Sequence, residues 1–151
     1  MRISTKPTVF LDSSAIVSFL AGRGAAAHLF DDKITSQVRF AINPVVIQEL
    51  VLRSGAEPKL FTVDNLDDLL SAHGVAVLEP NLVNSQSVIE NATKMRNKMF
   101  HSNDILILAS ALDCDYVVTE DSALYQLLGN KDPPVITTPN KFIDMLSRNK
   151  Q

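Results

Sequence analysis

Four carboxylates, Asp12, Glu49, Asp104 and Asp121, stand apart from the chain's other acids because each lies against strongly apolar sequence. Asp12 follows Val9-Phe10-Leu11 and precedes Ser13-Ser14-Ala15-Ile16-Val17, while Asp121 lies just beyond Tyr116-Val117-Val118-Thr119. Both belong at the carboxyl end of a strand. Taken singly, each is accounted for as a helix N-cap, a position where Asp is favoured by about 1 kcal/mol. Glu49 sits in Val45-Val46-Ile47-Gln48-Glu49-Leu50-Val51-Leu52, apolar around almost its full circumference, which predicts a buried helix. A carboxylate buried there needs a cation, a basic side chain or a water-filled cleft beside it. The alternative places Glu49 on an exposed stripe with Gln48 and with Arg53, one turn on. Asp104 leads into Ile105-Leu106-Ile107-Leu108-Ala109-Ser110-Ala111-Leu112; with Ser102 or Asn103 as the cap, its charge complements the helix dipole. If the four converge, they repel and raise one another's pKa unless a cation compensates. Such a set of hard oxygen donors suits Mg²⁺ or Mn²⁺.

The elements that must position these acids alternate along the chain. Short β-branched runs at Val9-Phe10-Leu11, Val38 to Ile42, Val75 to Leu78, Tyr116 to Thr119 and Val135 to Thr137 predict buried strands. Helical segments lie between them: Asn43-Pro44 opens one, Gly74 closes another and Thr138-Pro139 opens the last. Near-continuously apolar strands alternating with helices argue for an α/β fold, a parallel sheet covered by α-helices on both faces. Ligands of such sheets bind beyond the carboxyl ends of the strands, where Asp12 and Asp121 are expected.

With 151 residues and 46% hydrophobic composition, one domain spanning 1–151 with short flexible ends is expected. The amino terminus is charged and the longest apolar runs stop near eight residues, well short of the ~20 that span a bilayer. The sequence displays no export signal or membrane anchor, and a single cysteine, Cys114, forms no internal disulfide. A cytoplasmic protein is expected, with Cys114 as a packing residue. The net charge of −3 argues against coating nucleic acid through overall basicity, so any such contact must be local.

Phe10-Leu11-Asp12-Ser13-Ser14-Ala15, Asn43-Pro44 with Glu49-Leu50, Asn103-Asp104-Ile105 and Val118-Thr119-Glu120-Asp121, in that order, resemble the PIN-domain family. They look most like its small single-domain VapC-type toxin ribonucleases, and the resemblance covers nearly the whole chain. It implies a Rossmann-like parallel sheet and Mg²⁺- or Mn²⁺-dependent endonucleolytic cleavage of RNA. It makes Asp12, Glu49, Asp104 and Asp121 the catalytic, metal-holding acids, with Ser14 and Thr119 as supporting hydroxyls that orient ligands or water. A cognate antitoxin and a homodimer are the partners it implies. Glu120 stands directly before Asp121, so the ligand there is open between them, with Asp121 following the motif. Asp113 and Asp115 fit a solvated turn; Asp31-Asp32 and Asp67-Asp68 fit solvated helix faces.

Carboxylates that hold metal do not hold a polyanion, so basic groups must face the substrate. Lys94, Lys98 and His101 fall at helical spacing just before Asp104, though an ordinary solvated face accounts for them equally. Arg53, one turn after Glu49, is a second candidate, and Arg23 and Lys33 are further candidates without support from the sequence pattern. The three histidines lack zinc-ligand spacing. Haloacid-dehalogenase-like phosphatases would need a second Asp where Ser14 stands. Receiver domains would need an acidic pair after the first strand, and Gly22-Arg23-Gly24 is too short for a phosphate-binding loop. The remaining alternative is a PIN-like module that binds RNA or protein with little or no nuclease activity.

Overall fold

The computed structural model describes residues 5–94, 102–128 and 133–148. Five strands, β1 (Thr8–Leu11), β2 (Arg39–Ile42), β3 (Ala76–Val77), β4 (Tyr116–Val118) and β5 (Val135–Thr137), form one sheet in the order β3-β2-β1-β4-β5. Every pairing is parallel. The predicted runs are the observed strands to within a residue at each end. One expectation fails in part: β3 lies at the sheet edge, and both of its residues are exposed. Its apolar side chains complete a ladder without being enclosed by a second neighbour.

The helices among the described residues are α1 (Ser13–Leu20), α2 (Asp32–Thr35), α3 (Pro44–Ala56), α4 (Val63–Ala72), α5 (Leu82–Lys94), α6 (Ser102–Ala111), α7 (Ser122–Leu128) and α8 (Pro139–Arg148), with a 3₁₀ turn at Gly24–His28. The chain moves outward from β1 through β2 to β3, then returns to β4 and continues to β5. Right-handed crossovers therefore send the two sets of connections to opposite faces of the sheet. The contacts agree: α5 packs on α6 and α7, whereas α1 and α8 pack on the 3₁₀ turn. Helix α3 meets both groups, touching α1 and α6.

Strand β1 is central, and Val9, Phe10 and Leu11 are wholly enclosed. Phe142 of α8 closes one side of the core, its ring centred 6.3 Å from Phe40 and 6.0 Å from Tyr116. Sequence signals account for the helix ends nearest the acids. Asn43 caps α3, accepting from the Val46 N–H at 3.1 Å with Pro44 at the first helical position. The expectation that α3 is buried all round needs correction. Val45, Val46 and Leu50 are enclosed, but Val51 and Leu52 face outward, Leu52 at 67% exposure.

Candidate functional site

The strand order turns back between β1 and β4, which makes their carboxyl ends the natural mouth of a binding crevice. Asp12 leaves β1 at that point, its N–H bonded to the Val118 carbonyl at 3.1 Å. It is only 4% exposed. Asp12 does cap α1, with Oδ1 accepting from the Ser13 N–H at 2.8 Å. The cap accounts for half of the carboxylate. Oδ2 accepts from the Ser14 hydroxyl at 3.0 Å and the Thr119 hydroxyl at 2.7 Å. The two hydroxyls are themselves 3.3 Å apart, and Ser14 Oγ also accepts from the Glu120 N–H at 3.0 Å. Ser14 and Thr119 thus bind the end of β1 to the end of β4.

Asp121 repeats the arrangement. Its Oδ1 accepts from the Ala123 N–H at 2.9 Å at the start of α7, and its N–H donates to Thr119 Oγ1 at 3.0 Å. Glu120, its neighbour, is held differently: its Oε2 accepts from the hydroxyl of Ser18, which is buried on α1. The carboxylate of Glu120 is therefore drawn toward α1. Thr119, which bonds both Asp12 and the Asp121 backbone, ties Asp121 to the central acid.

Glu49 and Asp104 arrive on α3 and α6. Glu49 Oε1 accepts from the Ser13 hydroxyl at 3.1 Å, and its carboxylate also bonds the Asn103 side chain at the start of α6. Arg53 does not pair with Glu49; its Nε lies 3.1 Å from Glu57 Oε2, further along the helix. The spacing of α3 and α6 is set by Asn43, which is fully buried. Its amide donates to the Leu106 carbonyl at 2.9 Å and the Ser110 hydroxyl at 3.1 Å, while its oxygen caps α3. Every polar atom of that side chain is used.

Asp12, Glu49, Asp104, Asp121 and Glu120 line one open cleft of about 350 Å³, joined by Arg23 and Arg53. That volume falls within the range of small-ligand sites. Burial raises the Asp12 pKa, with hydrogen bonds from Thr119, Ser14 and Ser13 acting against it and the charge of Asp121 adding to the rise. Glu49 is raised by burial first and then by the charge of Asp12, with a smaller contribution from Asp104. The acids feel one another across the cleft. Among the described residues no three carboxylate, histidine or cysteine side chains are already drawn into a metal-holding group, so the acids line a cleft rather than a closed shell. Their donor chemistry, oxygen only and mutually repelling, fits a hard divalent cation.

Other sequence expectations fall elsewhere. Lys94 ends α5, exposed, and does not line the cleft. Lys98 and His101 lie outside the described residues. Asp113 and Asp115 are exposed at the amino end of β4, where Asp113 accepts from Asn84 and Asp115 from the Thr8 N–H. The turn reading of that pair is correct. Asp67 and Asp68 are likewise exposed on α4. The sequence pattern assigns no role to Ser13 or Ser18 and leaves Arg23 a candidate without support, yet all three line the cleft. A hydroxyl repeated four residues on, Ser14 then Ser18, was the available signal for the α1 wall.

No family model matches the sequence, and no curated protein matches it. Solved structures do. The VapBC2 structure from Rickettsia felis, bound to a promoter DNA fragment, superposes with a TM-score of 0.64 at 16% identity, covering 87% of this chain and 98% of that one. VapBC-1 from nontypeable Haemophilus influenzae gives 0.62 at 18% identity, with 88% and 98% covered. FitAcB from Neisseria gonorrhoeae gives 0.57 at 18% identity, with 87% and 97% covered. The chain shares the α/β PIN-domain fold of these structures.

Proposed function

We propose that this chain is a divalent-metal-dependent endoribonuclease, the toxin member of a toxin–antitoxin pair, and that its cleft is the active site. The observation that carries the reading is the convergence of Asp12, Glu49, Asp104 and Asp121 on one crevice at the turning point of the sheet. Two of the four carry raised pKa values caused by burial and by their neighbours' charges. A structural role alone gives no reason to gather like charges at that cost.

Asp12, Glu49, Asp104 and Asp121 are the residues that would hold Mg²⁺ or Mn²⁺. Bound there, such an ion supplies Lewis acidity, making water acidic enough to attack a phosphodiester and offsetting charge on the phosphoryl oxygens. The protein's part is orientation. Ser14 and Thr119 fix Asp12 Oδ2, Ser13 fixes Glu49 Oε1, and Asn43 fixes the helices that carry Glu49 and Asp104. Arg53 on the α3 wall offers a guanidinium to the substrate's phosphates.

The likeness to VapBC2, VapBC-1 and FitAcB supports a protein partner, a cognate antitoxin; self-association into a homodimer is part of the same proposal. Exposed apolar side chains at Leu52, Leu82 and Val83 supply surface for such contacts. The deciding experiment incubates purified protein with structured and single-stranded RNA in Mn²⁺, in Mg²⁺ and in chelator, beside Asp12→Ala and Asp104→Ala. Cleavage that needs metal and is lost in both variants is the expected result. RNA binding without cleavage in any metal, by folded protein, would favour a binding module instead.

A further inference from the structure

A cleft floored by carboxylates repels the phosphates it is meant to cleave, so cations must stand on its walls. Arg53 provides one on α3, with part of its charge engaged by Glu57. The wall formed by α1 presents a second. Arg23 lies on the turn between α1 and the 3₁₀ segment, is exposed, and lines the same cleft as Asp12, Glu49, Asp104, Glu120 and Asp121. Despite that company, among the described residues it makes no ion pair and no side-chain hydrogen bond. A guanidinium left unpaired beside several carboxylates keeps its planar set of donors for an incoming anion.

The turn itself is built to hold that position. The Arg23 N–H bonds the Ser18 carbonyl at 2.9 Å, closing the end of α1. Gly22 and Gly24 flank it with φ of +67° and +51°, a backbone region that L side chains rarely adopt. Among the described residues, the turn that carries Arg23 is set by backbone bonds and glycines, not by a hydrogen bond or ion pair of the Arg23 side chain.

We propose that Arg23 is a phosphate-binding residue of this cleft, gripping the sugar–phosphate backbone of an RNA strand on the α1 wall as Arg53 does on the α3 wall. The substrate then lies in the groove between these two packed helices, over the acids. This assignment rests on the nuclease reading and adds to it the path of the strand. Contacts of this kind bind phosphate without reading bases.

The test measures binding rather than cleavage. Fluorescence anisotropy follows a short labelled single-stranded RNA across a salt series, with Ca²⁺ to neutralise the acids and a gel to confirm that the strand stays intact. Arg23→Ala is expected to weaken binding roughly fivefold at moderate salt and to lower the slope of log affinity against log salt by about 0.7. The loss should be equal for unrelated base sequences, and Arg23→Lys should recover the slope. Arg39→Ala removes the same charge from an exposed residue at the amino end of β2, away from the cleft, and should bind as the unaltered chain does. Unchanged affinity and slope in Arg23→Ala, or an equal loss in Arg39→Ala, overturns the assignment. Arg23→Gln, which keeps the side-chain stem, replaces Ala if thermal melts show that Ala disturbs folding. An unaltered chain that binds no RNA overturns the nucleic-acid reading itself, and the role of Arg23 with it.

Discussion

The Thr119 hydroxyl donates to Asp12 Oδ2 at 2.7 Å while accepting from the Asp121 N–H at 3.0 Å, so one buried side chain relates the first acid to the last. Thr119→Val keeps the shape and removes both bonds. Leaving buried polar partners unsatisfied should cost about 1–3 kcal/mol in urea melts. RNA cleavage should fall roughly tenfold to a hundredfold, as when a group that orients a metal ligand is removed. Thr119→Ser should keep most of both. Full activity in Thr119→Val would remove the hydroxyl from the site's machinery.

Glu120 and Asp121 are adjacent in sequence and unlike in structure. The Glu120 carboxylate is bonded by Ser18, whereas Asp121 hangs from the Thr119 hydroxyl beside Asp12. Asp121→Asn should lose more than the ~100-fold that marks the loss of an orienting partner, while Glu120→Gln should lose far less. Cleavage assays at matched protein concentration decide this, and equal losses would leave both as ligands.

Asn43 separates stability from geometry in a useful way. Asn43→Ser keeps an N-cap oxygen for the Val46 N–H but gives up both donations to α6. The expected cost is about 1–3 kcal/mol from the lost buried bonds. Asn43→Ala should lose about 1 kcal/mol more, because the cap goes too. Equal melting of the two variants would mean that the cap contributes nothing.

Asp12 and Glu49 also predict how stability follows pH. Both have folded pKa values above their unfolded values of 3.8 and 4.5. The folded state therefore takes up protons first as pH falls. Their ionised forms destabilise the fold at neutral pH, and the penalty is relieved as pH drops through the raised folded values, with the gain complete near the unfolded ones. In chelator, melting temperature should rise on mild acidification more in the unaltered chain than in Glu49→Gln. Mn²⁺ should raise the melting temperature at neutral pH and lose that effect in acid, since it binds the deprotonated acids. A pH profile identical in Glu49→Gln would count against the shift.

Cys114 should be inert. It is 3% exposed, and burial first, then the charges of Asp113 and Asp115, push its thiol up to about 12. A disulfide reagent should react slowly with native protein and fast in denaturant; rapid native reaction would contradict the packing role.

Much of the architecture was legible because it is local. Val9-Phe10-Leu11 and Tyr116-Val117-Val118 are short apolar runs that form strands only if covered on both faces. Asn43-Pro44 and Thr138-Pro139 are helix starts written in neighbouring residues. Leu52 and the edge strand at Ala76–Val77 show where that reasoning stops: apolarity states what a residue favours, and its place in the sheet or on the helix surface decides whether it is covered.

The site divides in the same way. Sequence alone determined that Asp12 and Asp121 follow strands, that Glu49 and Asp104 lie on apolar helices, and that the chain is α/β, because strand and helix periods and their caps are properties of consecutive residues. Tertiary structure alone decided that Ser18 takes Glu120, that Arg53 turns to Glu57, that Arg23 reaches the cleft, and that Asn43 fastens α3 to α6. Those outcomes join residues far apart in the chain or choose between neighbours on one helix. They depend on which elements the sheet order brings within hydrogen-bond reach, about 3 Å, a distance that no spacing along the sequence encodes.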